Sequence, residues 1–177
     1  MEVKTKEELE TIKKICIEKF LVPFEGTGPK DAEGNFIAYA DPIGIPTIAW
    51  GITFNEQGEK IKLGEVWSYD RAMKHKSNIL DDFLGYILKV SPVLQEEGNR
   101  RVAAILSWVY NLGKGNYNRS TFKKKIDAKD WVGAFYECKK WNRAGGIVLK
   151  GLTKRREAEG LVIYLDSFGE DDKEEYN

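Results

Sequence analysis

The sequence predicts an α+β protein with its strands gathered near the N-terminus and helices filling the remainder. Three patterns carry this expectation. Apolar residues recur at helical spacing from Ile12 to Phe20; β-favouring residues run from Phe36 to Phe54, punctuated by Asp, Pro and Gly; and five further helical stretches lie between Ser68 and Leu165. With 177 residues, 42% of them hydrophobic and 32% charged, the chain suits one soluble domain with its own core.

Thr5 and Glu8 have capping-box spacing, so the first helix starts there and places Ile12, Ile15, Cys16 and Phe20 on one stripe. Pro23 disfavours helical geometry at Val22, which predicts an end near Lys19 to Leu21 and leaves Glu25 just past the helix. Strands are expected over 36–39, 47–50 and 52–54, with a turn through Asp41-Pro42-Ile43-Gly44 and a short extended piece at Ile61 to Leu63. A helix over Ser68 to Val90 carries Met73, Ile79, Leu80, Phe83, Leu84 and Ile87, and Ser91-Pro92 breaks it. The stretch Arg101 to Leu112 is apolar on nearly all sides, as a central buried helix is. Ser120 or Thr121 caps the next helix, and the segment Asp127 to Asp130 opens the one carrying Trp131, Val132, Phe135 and Cys138. In the last helix, Thr153 to Leu165, Gly160 costs about 1 kcal/mol relative to Ala, which points to close packing there. Residues 169–177 are acidic with little apolar content and read as a disordered tail.

Net charge is zero but unevenly spread. Residues 114–156 hold thirteen basic and three acidic side chains, a localised positive field that would attract a polyanion. The plainer alternative is a set of solvated helix faces. Cys16 and Cys138, the two cysteines, lack metal or redox spacing and read as buried free thiols, in keeping with a reducing compartment. The sole histidine, His75, sits in Met73-Lys74-His75-Lys76-Ser77 and reads as a surface residue, which leaves little room for Ser-His or Cys-His catalysis. No window holds the roughly 18 apolar residues of a membrane span, and Met1 to Phe20 lacks the apolar core of a signal peptide.

Chemistry concentrates in Phe24-Glu25-Gly26 and in Tyr39-Ala40-Asp41-Pro42-Ile43-Gly44-Ile45-Pro46-Thr47. Glycoside hydrolysis needs one carboxylic acid to protonate the leaving oxygen and a second carboxylate for the cationic sugar ring or the attacking water. Glu25, against the apolar Val22 and Phe24 at a helix end, suits the acid, because desolvation and the helix's negative end both favour its protonated form. Asp41 suits the ionised partner, and Thr47 could hold a nucleophilic water. Each also has a structural alternative: a salt bridge for Glu25, a turn hydrogen bond for Asp41, strand propensity for Thr47.

These motifs resemble glycoside hydrolase family 24, the phage-type lysozymes, and the likeness extends through Ala103 to Gly113, Trp141-Asn142-Arg143-Ala144-Gly145-Gly146 and Gly151-Leu152-Thr153-Lys154-Arg155-Arg156-Glu157-Ala158-Glu159. The resemblance implies a lysozyme-like fold in one domain over residues 1–168, with a small sheet lobe at about 22–66 and a helical lobe at about 68–165 that includes the N-terminal helix. It implies an endolysin-type muramidase that cleaves the β-1,4 bond between N-acetylmuramic acid and N-acetylglucosamine in peptidoglycan, with Glu25, Asp41 and Thr47 catalytic and no metal or organic cofactor. A monomer is expected, with no nucleic-acid partner and no stable membrane insertion. It would be made in the host cytoplasm and reach the wall after the membrane is permeabilised. The alternatives are a non-catalytic peptidoglycan-binding or virion-associated relative, and a nucleic-acid binder using the basic block with Tyr117, Phe122, Trp131 and Trp141. Two departures stand out. Fifteen residues separate Glu25 from Asp41 where the family has about eight, and Ile52 occupies a position where many members carry His. Trp50, Trp141 and Tyr39 are candidates for sugar stacking or for the core.

Overall fold

Thr5 opens the first helix as its spacing predicts: its hydroxyl accepts from the Glu8 amide at 3.2 Å while the Glu8 carboxylate accepts from the Thr5 amide at 2.8 Å. The structure is a computed structural model that describes residues 3–166, so the expected acidic tail, 169–177, lies outside the described residues. Helix α1 spans Lys6–Cys16 and buries Ile12 and Cys16. The chain does not leave the helix where Pro23 suggests. A π-helical turn, Ile17–Leu21, follows directly, and a short helix α2, Val22–Glu25, continues the run. Pro23 lacks an N–H and its ring would strike the carbonyl four residues back. The wider π turn, closed by Val22 N–H on the Ile17 carbonyl, makes room for it. Glu25 is therefore the last helical residue rather than the first beyond the helix, and Gly26, at φ +70°, ends the run.

Strand pairs occupy the segment that follows α2. Strand β1 (Phe36–Ile37) pairs antiparallel with β4 (Val66–Trp67), and β2 (Tyr39–Ala40) with β3 (Pro46–Thr47), setting Tyr39 opposite Thr47. The expected strand through Trp50 breaks instead. Ala49 (φ 48°) and Gly51 (φ 75°) form a tight turn, so that Ile48 and Ile52 bridge each other. Trp50 sits fully buried in this turn, edge-on to Phe36 with ring centroids 5.1 Å apart, and belongs to the core. Ile61 to Leu63 forms no strand; the pairing passes to Val66–Trp67.

Ser68 caps α3 (Tyr69–Val90) by accepting from the Arg71 amide, and the helix runs about 33 Å. Its buried positions, Ala72, His75, Lys76, Leu80, Leu84, Ile87 and Leu88, follow one face. His75 is thus not on the surface: its Nε2 lies 2.9 Å from the Phe54 carbonyl and its ring packs edge-on to Trp67. Helix α4 (Asn99–Leu112) is buried continuously from Arg101 to Val109 and forms the centre of the molecule. Around it lie α5 (Lys114–Arg119), α6 (Thr121–Asp127) capped by Ser120, and α7 (Trp131–Lys139) capped by Asp130. Trp108 of α4 meets Phe122 at 4.7 Å and Trp141 at 5.1 Å between ring centroids. A hairpin of β5 (Arg143–Ala144) and β6 (Ile147–Val148) turns through Gly145 and Gly146, both at positive φ. The final helix, α8, spans Lys150–Leu165. A Cβ at its Gly160 would lie 3.0 Å from the Phe135 ring, which is the close packing that the glycine signals. Both cysteines are buried and free. No helix among the described residues is long and apolar enough to cross a membrane.

Candidate active site

The end of α2 places the Glu25 side chain, about one-sixth exposed, between two cations from distant elements. Lys76 Nζ, from α3, stands 3.4 Å from Oε2, and Arg155 Nη1, from α8, stands 3.4 Å from Oε1. The apolar neighbours expected from the sequence, Val22 and Phe24, are half-buried beside it. The setting is therefore as much a cationic cradle as an apolar pocket. Gly51 closes another side: a Cβ on it would lie 3.5 Å from Oε2, so the tight turn brings backbone against the carboxylate.

Each cation is itself held. Lys76 is fully buried and donates to the Trp50 carbonyl and to Tyr110 Oη, both at 2.5 Å. Arg155 donates through Nε to Glu159 Oε1 at 3.1 Å and through Nη2 to Ser107 Oγ at 3.1 Å, and Ser107 Oγ donates to Glu159 Oε1 at 2.5 Å. Arg156 pairs with the other oxygen of Glu159 at 2.9 Å. A buried network on α4 and α8 thus fixes the guanidinium that reaches Glu25. Cys16 lies close to these charges, but burial pushes its thiol far above the ordinary range, so it stays neutral and is no nucleophile.

The β2–β3 hairpin positions the other two expected residues. Asp41 Oδ1 accepts from the Ile43 and Ile45 amides at 3.0 and 2.8 Å, and its own amide donates to the Ile45 carbonyl at 3.0 Å. One carboxylate oxygen therefore closes the turn, as the structural alternative expects, while Oδ2 receives no donor among the described residues. Thr47 is buried, and its hydroxyl donates to the Ile45 carbonyl at 3.0 Å, which leaves the oxygen free to accept from a water. Asp41 and Thr47 thus share one hairpin and one acceptor, the Ile45 carbonyl. The turn that follows this hairpin, 49–51, is the one that abuts Glu25.

Residues 27–35, the loop in the long stretch between Glu25 and Asp41, contact the hairpin through Gly28. Asp31 accepts from the Glu33 and Asn35 amides, and Gly28 (φ 68°) lies under the Tyr39 ring. Tyr39 and Trp141 are half-buried, Trp141 against Trp108. Five side chains of the basic block are paired: Lys114 with Asp82, Lys123 with Asp127, Lys125 with Asp130, Lys129 with Glu96 and Lys140 with Glu137. The sequence assigns no functional role to Lys76 or Tyr110, or to Arg155 and Glu159 within their shared motif. A signal existed for Lys76, which stands on the apolar stripe four residues after Ala72 and four before Leu80.

Comparison with known proteins fits this arrangement. The model of the phage lysozyme family matches residues 30–159, which hold Asp41, Thr47, Lys76 and Arg155; Glu25 lies five residues before them. The SAR-endolysin of Enterobacteria phage PA-2 is 33% identical over 141 residues, covering 77% of this chain and 81% of that protein. The SAR-endolysin of Enterobacteria phage P21 is 33% identical over 138 residues, covering 75% and 79%. Among solved structures, the endolysin from Escherichia coli O157:H7 phage FAHEc1 superposes with a TM-score of 0.67 at 26% identity, covering 94% of this chain and 95% of that one. The chain belongs to the phage lysozyme family. It is a glycoside hydrolase with the lysozyme-like α+β fold, and its family membership makes peptidoglycan its substrate.

Proposed function

We propose that the protein is an endolysin-type muramidase that cleaves the β-1,4 bond between N-acetylmuramic acid and N-acetylglucosamine, lysing the host wall. The observation that carries this reading is Glu25, held at a helix end by Lys76 and Arg155 beside the turn that follows the Asp41–Thr47 hairpin. In this reading Glu25 protonates the glycosidic oxygen as the C1–O bond breaks. Asp41, ionised, either counters the oxocarbenium-like ring or receives a proton from the attacking water, and Thr47 Oγ1 accepts a hydrogen bond from that water. Tyr117 and Phe122, aromatics of the basic block, are buried in the core rather than open to stack on bases, which favours a glycan over nucleic acid as partner. The protein acts as a monomer. It folds in the host cytoplasm, for which its free, buried cysteines are suited, and meets the wall once the membrane is permeabilised.

The test is digestion of purified peptidoglycan, with the released fragments analysed by reducing-end chemistry and mass spectrometry. Fragments ending in reducing N-acetylmuramic acid support the proposal. Reducing N-acetylglucosamine ends, or fragments cut only in the peptide stems, would sink it.

A further inference from the structure

We propose that Lys76 is a positioning residue for the reaction: its buried ammonium holds the Glu25 carboxyl against the 49–51 turn and stabilises the negative charge that Glu25 acquires as it releases its proton. The inference rests on the reading of Glu25 as the general acid. It comes from the contacts of one side chain. An ammonium has three donors, and all three are engaged: the Trp50 carbonyl at 2.5 Å, Tyr110 Oη at 2.5 Å and Glu25 Oε2 at 3.4 Å. Two of these acceptors are neutral, so Glu25 is the one carboxylate this fully buried cation meets among the described residues. A buried charge without a counter-ion is costly, and its field is screened far less than a surface lysine's. The field of Lys76 therefore falls on Glu25.

Arg155 approaches the other oxygen of Glu25 at the same distance but is placed differently. Its guanidinium also pairs with the buried Glu159 at 3.1 Å, a carboxylate it shares with Arg156, so its field is divided between Glu159 and Glu25. Asp41, ionised in this reading, bonds within its own hairpin, and the other groups in contact with Lys76 carry no charge. The Cys16 thiol of α1 is kept neutral by burial, and the Tyr110 phenol of α4 bonds to Lys76. Lys76 also links three elements that the chain brings from afar: the end of α2, the turn that follows the Thr47 strand, and central helix α4. Moving its head group would displace the acid relative to the hairpin.

The electrostatic role separates from a merely structural one by the pH profile. A cation beside a carboxylic acid acts on its ionised form, whereas a merely structural contact does not, so the effect of removing the charge is read in the alkaline limb of the profile. Lys76→Met removes the charge from a chain of similar length. On purified peptidoglycan at constant ionic strength, its alkaline limb for kcat/KM should move up by about one pH unit. Its plateau should fall, because a weaker acid gives up its proton less readily. Lys76→Arg keeps the cation and should leave the limb near that of the native protein. A Lys76→Met limb within about 0.3 pH unit of the native one overturns the proposal, whatever happens to the plateau. Should Lys76→Met prove unfolded by circular dichroism, Tyr110→Phe decides. It leaves Glu25 as the only side-chain acceptor for the ammonium, so the limb should move to lower pH, and a limb that stays in place overturns the proposal. Glu25→Gln, assayed alongside, distinguishes the two failures. If it is inactive while the Lys76→Met limb is unmoved, only the role of Lys76 falls; if it retains activity within about tenfold, the acid assignment falls with it.

Discussion

Arg155 Nη1 and Glu25 Oε1 stand 3.4 Å apart across 130 residues of chain, joining α8 to the end of the first helical run. The same guanidinium reaches Ser107 and Glu159, so the proposed acid is tied to a buried part of the fold. Arg155→Met should therefore harm both stability and activity. Removing one member of a buried charged network costs about 3 kcal/mol or more, which corresponds to a Tm lower by roughly 6–12 °C for a chain of this size. A Tm within about 2 °C of the native value would show that the network relaxes without Arg155.

Glu25→Gln keeps shape and hydrogen-bonding capacity but cannot donate a carboxyl proton. The fold and Tm should persist while wall lysis falls by roughly 10²–10⁴-fold, the contribution expected of a general acid. Turbidity clearance and thermal melting on the same preparation read the two effects.

Asp41 closes its turn with one oxygen, and its proposed catalytic role needs its charge; two substitutions separate the two. Asp41→Asn keeps an acceptor for the Ile43 and Ile45 amides and removes only the charge, so stability should hold while activity drops. Asp41→Ala removes the acceptor too and should cost a further 1–3 kcal/mol or so, the usual penalty for stranding backbone donors. If Asn and Ala variants melt together, the turn does not depend on Oδ1.

Glu56 and Arg71 clamp the 55–58 loop to α3. The Arg71 guanidinium donates through Nε at 2.9 Å and Nη2 at 2.8 Å and holds the Glu56 carboxyl down at about 2. Because the folded value lies below the ordinary 4.5, the pair stabilises the protein above about pH 4.5, and that contribution is lost as pH falls toward 2. Both side chains are a third or more exposed, so the contribution should be under about 1 kcal/mol. The stability difference between native protein and Glu56→Gln, from urea titrations, should be largest near neutral pH and shrink as the acid range is crossed. A difference that grows on acidification would reverse the assignment.

Gly28 tests the segment between Glu25 and the hairpin. A Cβ there would lie 2.3 Å from the Tyr39 ring, and the backbone is at φ +68°. Gly28→Ala should destabilise by about 1–3 kcal/mol, through overpacking and strain together. Because Tyr39 pairs with Thr47, activity should fall with it. Stabilisation, as the loss of unfolded-chain entropy alone would give, would mean that Tyr39 swings aside freely.

The parts legible in the sequence are those decided by neighbours in the chain. Thr5 with Glu8, Ser120, and Asp130 at the end of the 127–130 segment cap helices as expected, and Ser68 caps the helix expected to begin there, since a cap bonds an amide three residues away. Gly160 signalled a tight helix crossing, because nothing else excuses a glycine in mid-helix. Pro23 misled. Its local rule ends a helix, but packing of Ile17, Phe20 and Leu21 into the core holds the chain helical through a π turn, and Glu25 gains its place from that extra turn. The strand expected through Trp50 broke for a similar reason: burying the indole against Phe36 favours the turn at Ala49, which local propensity does not reveal.

By itself the sequence determined the α+β order, the helix starts near Thr5, Ser68, Ser120 and Asp130, the Asp41 turn and the candidacy of Glu25, Asp41 and Thr47, because those follow from spacing, caps and side-chain chemistry within a few residues; the short helix α5 at Lys114–Arg119 was not legible in it. Only the tertiary structure decided what surrounds the acid. Lys76, Tyr110 and Arg155 lie 51, 85 and 130 positions from Glu25, and His75 left the surface for a carbonyl 21 residues away. A charge on a helix face is solvated or buried according to what packs against that face. That partner comes from another part of the chain, so the electrostatic setting of the active site is set by the fold.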